Sequence, residues 1–471
     1  MSTRVAGPAA RKSLFAKETE GRAAPRPTEE LRETLLARLA QHDARVAVIG
    51  AGYVGLAVAV EAAQVGFEVI CFDTDPARVE ALTRGESYVD NLPSQAVAQV
   101  REAGRLRATL DSSRLAECDV AVICVPTPVT ASREPDLSAL EAAAEDLRRT
   151  LRPGQLIVLE STSYPGTTVE VLQPILERSG LKAGQDFFLA FSPERIDPGN
   201  AHYSLRTMPK IVGGVDPIST EVAVALYGQL VDRVVPVTSA MTAEMIKMYE
   251  NVFRNINIAF ANEIAQLCER MGLDVWEVID GAATKPFGIM PFYPGPGLGG
   301  HCIPVDPYYL SWKARQYDFE VRFIDVATDI NTSMPYYVLS RVMMALNAHG
   351  KSMLGSTILV LGAAYKPNIS DTRESPVYKV IPLLQKAGAV VLYHDPYVPE
   401  LVLENGKQQY LASVPLAPET VAEADCVLVL TAHACCDYDM LCAQAQLILD
   451  TRNALRDYRG RPGAEEKIVR L

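Results

Sequence analysis

The stretch Arg45-Val-Ala-Val-Ile-Gly50-Ala-Gly52-Tyr-Val-Gly55 constrains the fold of this chain more than any other part of it. An apolar run that meets three glycines at this spacing and then enters a Gly-poor helical stretch predicts a strand, a tight turn and a helix. Each glycine answers a different need: Gly50 permits the turn, Gly52 lets the backbone approach a pyrophosphate, and Gly55 lets helix and strand pack closely. The next apolar run, Glu68-Val-Ile-Cys-Phe72, ends at Asp73. A carboxylate there accepts hydrogen bonds from ribose hydroxyls and repels a 2′-phosphate, so the unit predicts a dinucleotide site that prefers NAD to NADP.

Short apolar runs at residues 46–49, 68–72, 120–125, 156–159 and 187–191 alternate with helical stretches, which predicts a parallel doubly wound sheet. Residues 240–271 contain no Gly or Pro and carry apolar residues every three to four positions. One unusually long helix is expected there, a spine between two halves. Beyond Gly350 the alternation returns at 356–361, 389–393, 426–430 and 447–449, this time without a second GxGxxG. The expected fold is therefore α/β, with two doubly wound Rossmann-like domains joined by a long central helix. A length of 471 residues agrees, being too great for one hydrophobic core. At the N-terminus, residues 1–27 are rich in Ala, Arg, Pro and Gly without periodicity, whereas Leu31, Leu35, Leu36 and Leu39 fall at helical spacing. A floppy tail leading into a short helix is expected.

A net charge of -12 makes a general nucleic-acid or anionic-membrane binder a poor fit, so an anionic substrate must be met by local positive groups. The nine cysteines are odd in number and lie mostly in apolar runs, which reads as reduced cytosolic thiols. Cys435 and Cys436 are adjacent and lack the paired spacing of a zinc site, so no metal is expected. No run reaches the roughly 18 apolar residues of a membrane span, and the first 40 residues lack a secretory core. The expected location is the cytoplasm.

The most chemically informative stretch is Pro291-Phe-Tyr-Pro-Gly-Pro-Gly-Leu-Gly-Gly-His-Cys302-Ile-Pro-Val-Asp306-Pro, where glycines expose backbone N–H groups and a single thiol closes the loop. On the long helix, Lys247 and Asn251 are four residues apart and share a face, so an ammonium and an amide can aim at one oxygen. His301 adjoins the thiol, but successive residues of an extended loop point apart. A packing or substrate-side role is expected for it, not that of a base.

These motifs resemble the UDP-glucose/GDP-mannose dehydrogenase family over residues 44–465. The match runs in family order through GAGYVG at 50–55, Cys124-Val-Pro-Thr-Pro128, Ser161-Thr162 with Pro165-Gly-Thr167, Ser192-Pro-Glu-Arg195, residues 244–251, GGHCIPVDP at 299–307, and Lys366-Pro through Asp371-Thr-Arg-Glu-Ser-Pro376. The resemblance implies an N-terminal extension over 1–43, partly disordered, and an NAD domain over 44–215. It further implies a central helical dimerisation domain with the Cys loop over 216–335 and a UDP-binding α/β domain over 336–471. It implies a homodimer or higher homo-oligomer, and oxidation of C6 of a UDP-hexose to the acid by two successive hydride transfers to NAD.

Carried across residue by residue, Cys302 matches the family's nucleophile, Lys247 and Asn251 its oxyanion donors, and Asp306 a carboxylate that orients water or the lysine. Glu194 matches the base for thioester hydrolysis and Thr162 a residue that holds the catalytic water. The implied cofactor set is Gly50, Gly52, Tyr53, Val54, Gly55, Asp73, Arg78, Thr127 and Thr162, with Arg373 as a phosphate contact. The implied substrate set is Glu194, Arg195, Lys247, Asn251, Tyr293, Gly299, Lys366 and Arg452. A free thiol near pKa 8.5 is mostly protonated at neutral pH, so nearby positive charge is expected to activate Cys302.

Two departures from the family pattern stand out. Val305 occupies a position where UDP-glucose enzymes usually carry Lys. Together with residues 192–200 and 292–297 it resembles the branch acting on UDP-N-acetylhexosamines, especially UDP-N-acetylglucosamine, with UDP-glucose as the alternative. The family's intersubunit arginine is not matched near Lys285. Two other classes remain for comparison: a non-catalytic paralogue that binds NAD and UDP-sugar, and a two-electron hydroxyacid dehydrogenase. The second needs neither the thiol nor the second α/β domain, and would form one NADH per substrate instead of two.

Overall fold

Eight short runs of the first half pair into one sheet: β1 Arg45–Ile49, β2 Glu68–Phe72, β3 Leu106–Thr109, β4 Val120–Ile123, β5 Leu156–Leu159, β6 Phe188–Phe191, β7 Lys210–Gly214 and β8 Val234–Pro236. The computed structural model describes residues 27–89, 92–130, 132–196, 203–404, 408–458, 460–461, 463–464 and 466–471. Apart from Pro27, the tail expected at the N-terminus lies outside the described residues, as do residues 197–200 of the motif that begins at Ser192. The strand order is β3-β2-β1-β4-β5-β6-β7-β8. Its first six strands follow the Rossmann order, with the reversal between β1 and β4. Helices cover both faces, so β4, β5, β6 and β7 are buried at every position, and β4, β5 and β6 read as continuous apolar runs.

The sheet is not wholly parallel, as the alternation predicted. From β3 to β6 every pair is parallel, but β7 runs antiparallel to β6, with Ala190 opposite Gly214. No crossover helix lies between them among the described residues, and a return without one produces an antiparallel neighbour. The glycines of β7 and Pro236 of β8 hide these strands from a pattern search.

The helix Pro27–Ala40 is not an appendage. Leu35 and Leu39 enter the main core, Arg32 pairs with Glu221 at 2.8 Å, and Thr28 Oγ1 donates to the Gln185 carbonyl at 3.0 Å.

The spine helix spans Ala240–Met271, matching the expected span. Ser239 caps its N-terminus and Gly272, with φ of 71°, ends it. Its length is ~48 Å at the usual rise per residue. A second long helix, Arg322–Ala348, lies against it and continues through Pro335, a residue that ordinarily breaks a helix. Pro335 frees the carbonyl of Asn331, and the glycine loop docks there: a Cβ on Gly297 would lie 3.6 Å from both the Asn331 oxygen and Pro335 Cδ. The helix runs through the 335/336 boundary drawn from sequence.

The C-terminal sheet is parallel and ordered β10-β9-β13-β14-β15, formed by β9 Thr357–Leu361, β10 Val390–His394, β13 Cys426–Val429, β14 Ile448–Asp450 and β15 Ile468–Arg470. A hairpin of β11 Glu400–Glu404 and β12 Gln408–Ala412 stands beside it. Among the described residues, no helix is long and apolar enough to cross a membrane.

Candidate active site

The glycine turn after β1 is built as its sequence requires. Gly50 has φ of 90°, and a Cβ there would meet the Cys124 carbonyl oxygen at 2.7 Å; a Cβ on Gly55 would lie 1.9 Å from the Gly50 oxygen. A Cβ on Gly52 meets nothing within 4 Å, so that side of the turn is open. Leu56 N–H donates the first helical bond, to Gly52, which leaves those of Val54 and Gly55 ahead of the ladder. The first turn of this helix, which begins at Tyr53, carries no acidic residue, so its positive end is available to an anionic pyrophosphate.

Asp73 both borders this cradle and fastens it. Its carboxylate accepts the N–H groups of Ala51 at 2.8 Å and Asp75 at 2.9 Å, with Arg78 Nη1 at 3.3 Å. Arg78 is thus engaged with Asp73 rather than reaching out alone. Thr127, after β4, donates its hydroxyl to the Thr162 carbonyl, after β5, at 2.5 Å. The two turns sit together at the carboxyl edge of the sheet, where open α/β folds bind ligands.

The second domain repeats the device with a different outcome. Gly362 also has φ of 90°, and Asp395 accepts the N–H groups of Ala363 at 2.6 Å and Ala364 at 3.0 Å. Asp395 further takes His433 Nε2 at 2.9 Å and the N–H groups of Tyr397 and Val398. Its acceptor sites are filled, so this acid is not left open to a ribose. Lys366 and Arg452 lie at the same sheet's carboxyl edge, after β9 and β14.

The glycine loop crosses between the halves. Gly295 N–H donates to Asn262 Oδ1 at 2.9 Å, and a Cβ on Gly295 would lie 2.5 Å from Arg452 Nη1. Burial pushes the Arg452 guanidinium down to about 10, and its Nε donates to the Leu430 carbonyl at 2.8 Å. Gly299 and Gly300 lie flat on Tyr365: a Cβ on Gly299 would meet Tyr365 Cβ at 2.4 Å. Gly300 N–H donates to the Arg373 carbonyl at 2.9 Å. At its end, the Cys302 carbonyl accepts from Val305 at 3.0 Å and Asp306 at 2.8 Å, turning the chain into the helix Asp306–Arg315.

Cys302, Lys247, Asn251 and Asp306 come together where this loop meets the spine, and Glu194 joins them through its backbone carbonyl, its carboxylate facing Lys210. Asn251 Nδ2 donates to Asp306 Oδ2, and Lys247 Nζ donates to the Glu194 carbonyl oxygen at 2.6 Å. Burial pushes the Asp306 carboxyl up to about 7, against the pull of Lys247 and the Asn251 bond. The charge environment of Cys302 differs from expectation. Burial first, then Asp306, push the thiol up to about 11, while Lys247, Arg373 and Arg254 pull it down without prevailing. The cations are present, but the thiol keeps its proton at neutral pH. Among the described residues His301 Nδ1 is buried without a hydrogen-bond partner, and burial with the Arg373 charge pushes its ring down to about 4, so it is neutral.

Other expected residues are engaged elsewhere. Arg195 pairs with Glu250 at 2.7 Å and donates to the Pro209 carbonyl at 2.6 Å. Tyr293 stacks on Trp276 with centroids 5.4 Å apart, and its hydroxyl donates to Asp280 at 2.7 Å. Arg373 pairs with Asp371, and its charge acts on Cys302 and His301, beside the thiol and far along the chain from the pyrophosphate cradle. Val305 packs among Tyr164, Met248 and Tyr309, so its difference from Lys is one of core packing.

Sequence reasoning missed several residues that lie behind or beside the site. Lys210 and Glu160 form a buried ion pair at 3.0 Å, with Lys210 also 3.3 Å from Glu194. A Lys and a Glu flanking fully apolar strands were the available signal. Glu244 binds the turn after β5, accepting from Gly166 N–H at 2.5 Å and Thr168 N–H at 2.8 Å. Asn255 and Arg254 continue the catalytic face of the spine, Asn255 donating to the Ile303 carbonyl at 3.3 Å.

A dinucleotide cradle on one Rossmann sheet, a second Rossmann-like half, and a half-buried thiol between them define an NAD-dependent dehydrogenase. The chain belongs to the UDP-glucose/GDP-mannose dehydrogenase family: the family's NAD-binding domain matches residues 44–231, its central domain 241–333 and its UDP-binding domain 359–457. Its cofactor is NAD and its substrate a UDP-sugar. It is 34% identical to the UDP-N-acetyl-D-glucosamine 6-dehydrogenase of Pseudomonas aeruginosa, over 83% of this chain and 91% of that one. It is 36% identical to the NDP-N-acetyl-D-galactosaminuronic acid dehydrogenase of Ralstonia nicotianae, over 86% and 95%. Among solved structures, the UDP-D-ManNAc dehydrogenase of Pyrococcus horikoshii superposes with a TM-score of 0.82 at 32% identity, covering 91% of this chain and 99% of that one.

Proposed function

We propose that this enzyme oxidises C6 of UDP-N-acetylglucosamine to the carboxylate in two hydride transfers, through a covalent bond to Cys302. The observation that carries the reading is the convergence of one half-buried thiol, two donors on one helix face and the Asp306 carboxylate, with Glu194 tied to the same helix through Lys247. NAD, when bound, supplies the acceptor for each hydride. After the first transfer, Cys302 Sγ adds to the C6 aldehyde, and Lys247 Nζ and Asn251 Nδ2 hold the oxyanion that forms. The second transfer leaves a thioester. Glu194 then takes a proton from water, the water oxygen bonds to C6, the C–S bond breaks and the thiolate leaves. A protonated thiol beside Asp306, whose carboxyl is pushed up to about 7, fits a nucleophile that gives up its proton as it adds to the aldehyde.

An N-acetylhexosamine is favoured because the relatives at 33–36% identity carry names for such sugars, whereas a solved UDP-glucose dehydrogenase from Pyrobaculum islandicum is 26% identical. A pocket shaped for the acetamido group leaves an amide partner unmatched when offered glucose, a loss of about 1–3 kcal/mol. We therefore expect kcat/KM for UDP-N-acetylglucosamine to exceed that for UDP-glucose by at least about tenfold. Competition between the two at equal concentration, with the uronates quantified, measures the ratio. Equal yields would overturn the sugar assignment; a larger yield from UDP-N-acetylmannosamine or UDP-N-acetylgalactosamine, each competed against UDP-N-acetylglucosamine in the same way, would move it within the same class.

The same reading makes the protein a homodimer through its helical segment. Tyr249, Phe260, Leu267, Met271, Phe287 and Phe323 are large apolar side chains left exposed on or beside the two long helices. Sedimentation equilibrium giving a monomer at micromolar concentration would refute this.

A further inference from the structure

The buried charges behind Glu194 have no part in the steps above, yet they meet its carboxylate directly. Glu194 Oε1 accepts the N–H groups of Arg195 at 2.8 Å and Ile196 at 2.6 Å. Its other oxygen faces Lys210 Nζ at 3.3 Å, the one charged donor on this carboxylate among the described residues. Lys210 shares that ammonium with Glu160 Oε1 at 3.0 Å. The side chains of Lys210, Glu160 and Glu194 are 4%, 0% and 10% exposed, so water screens none of them appreciably.

Groups from the neighbouring elements face this cluster as well. Tyr227, from the helix Pro217–Leu230, donates its hydroxyl to Glu160 at 2.5 Å, and Cys124 after β4 lies 3.9 Å from the other Glu160 oxygen. From the spine, Lys247 reaches the Glu194 carbonyl, and Glu250 holds Arg195. Two carboxylates thus divide one ammonium, and the deeper of them is propped by a phenol.

We propose that Lys210 is a positioning residue that sets the basicity of Glu194, and that Glu160 is the counter-carboxylate that keeps that basicity from being quenched. The proposal rests on the reading of Glu194 as the base for thioester hydrolysis. A buried carboxylate facing an ammonium alone is strongly stabilised in its charged form and becomes a poor proton acceptor; facing nothing, it is protonated beforehand. Glu160, on the same ammonium, takes up part of that charge. With all three groups charged, the cluster carries a net charge of minus one. A proton taken from water brings it to zero, which a low-dielectric site favours.

Opposite changes in pH dependence test this. In single turnovers with NAD and UDP-N-acetylglucosamine, the enzyme-bound thioester is followed by rapid quench and intact mass across pH, and NADH by absorbance. In Glu160→Gln, Lys210 is left to Glu194 alone, so the acid limb of thioester decay should move down by about one pH unit or more. In Lys210→Met the two carboxylates face each other and the limb should move up by a similar amount. The first NADH burst should be unchanged in both. Shifts in the same direction, or none in a folded Glu160→Gln enzyme, overturn the proposal; if Lys210→Met does not fold, Glu160→Gln alone decides. Glu194→Gln separates the two layers. If it fails to accumulate thioester, the base reading itself falls; if it accumulates thioester while the other two leave the limb in place, only the role of Lys210 falls.

Discussion

Replacing Asp306 by Asn should stabilise the folded enzyme at alkaline pH while impairing its chemistry. Asp306 is 2% exposed, and its carboxyl is pushed up to about 7 from an ordinary 3.8. Between those values the folded state holds a proton that the unfolded state has lost, so wild-type stability falls as pH rises from about 4 to about 7 and levels off above. A rise of about three pH units, at ~1.4 kcal/mol for each, sets a ceiling of about 4 kcal/mol on the cost of the buried charge. The substituted amide would keep an oxygen to accept the Asn251 N–H and would remove that charge. Asp306→Asn should therefore match wild type near pH 4 and exceed it by up to about 4 kcal/mol at pH 8. Urea unfolding followed by the fluorescence of Trp276 and Trp312 at the two pH values measures this. The carboxylate also raises the neighbouring thiol, so iodoacetamide should alkylate Cys302 faster in the variant at pH 8.5. Parallel pH slopes in the two proteins, or an Asn variant less stable at pH 8, would refute the reasoning.

Cys302→Ser should retain binding of NAD and UDP-sugar by calorimetry while uronate formation collapses, because the hydroxyl is a poor nucleophile; near wild-type turnover would exclude covalent catalysis through this residue. Asp73→Ala should raise the KM for NAD and shift preference toward NADP, since Arg78 loses its partner beside the ribose position and can meet a 2′-phosphate. An unchanged NAD/NADP ratio of kcat/KM would place the acid away from the ribose.

The elements legible in the sequence were those whose reasons are local. The turn at 50–55 follows from glycine's tolerance of positive φ and close approach, and the spine over Ala240–Met271 from an unbroken period free of Gly and Pro. Lys247 and Asn251 could be paired because helical spacing alone puts them on one face. Elements that depend on partners escaped. Arg322–Ala348 stays helical through Pro335 because it packs on the spine and the glycine loop covers the opened carbonyl. Strand β7 is held by its neighbours in spite of its glycines, and the antiparallel turn before it leaves no periodic trace. The same division applies to the site. Residue types and spacing announced a thiol and two donors, and the family resemblance added two carboxylates, whereas protonation depends on burial and on groups distant along the chain. Only the folded arrangement surrounds Cys302 with enough low-dielectric protein, and a close enough Asp306, to outweigh three cations. Likewise only the packing of β5, β6 and β7 brings Glu160, Glu194 and Lys210 into one buried cluster, because Coulomb interactions act across space that the linear chain does not encode locally.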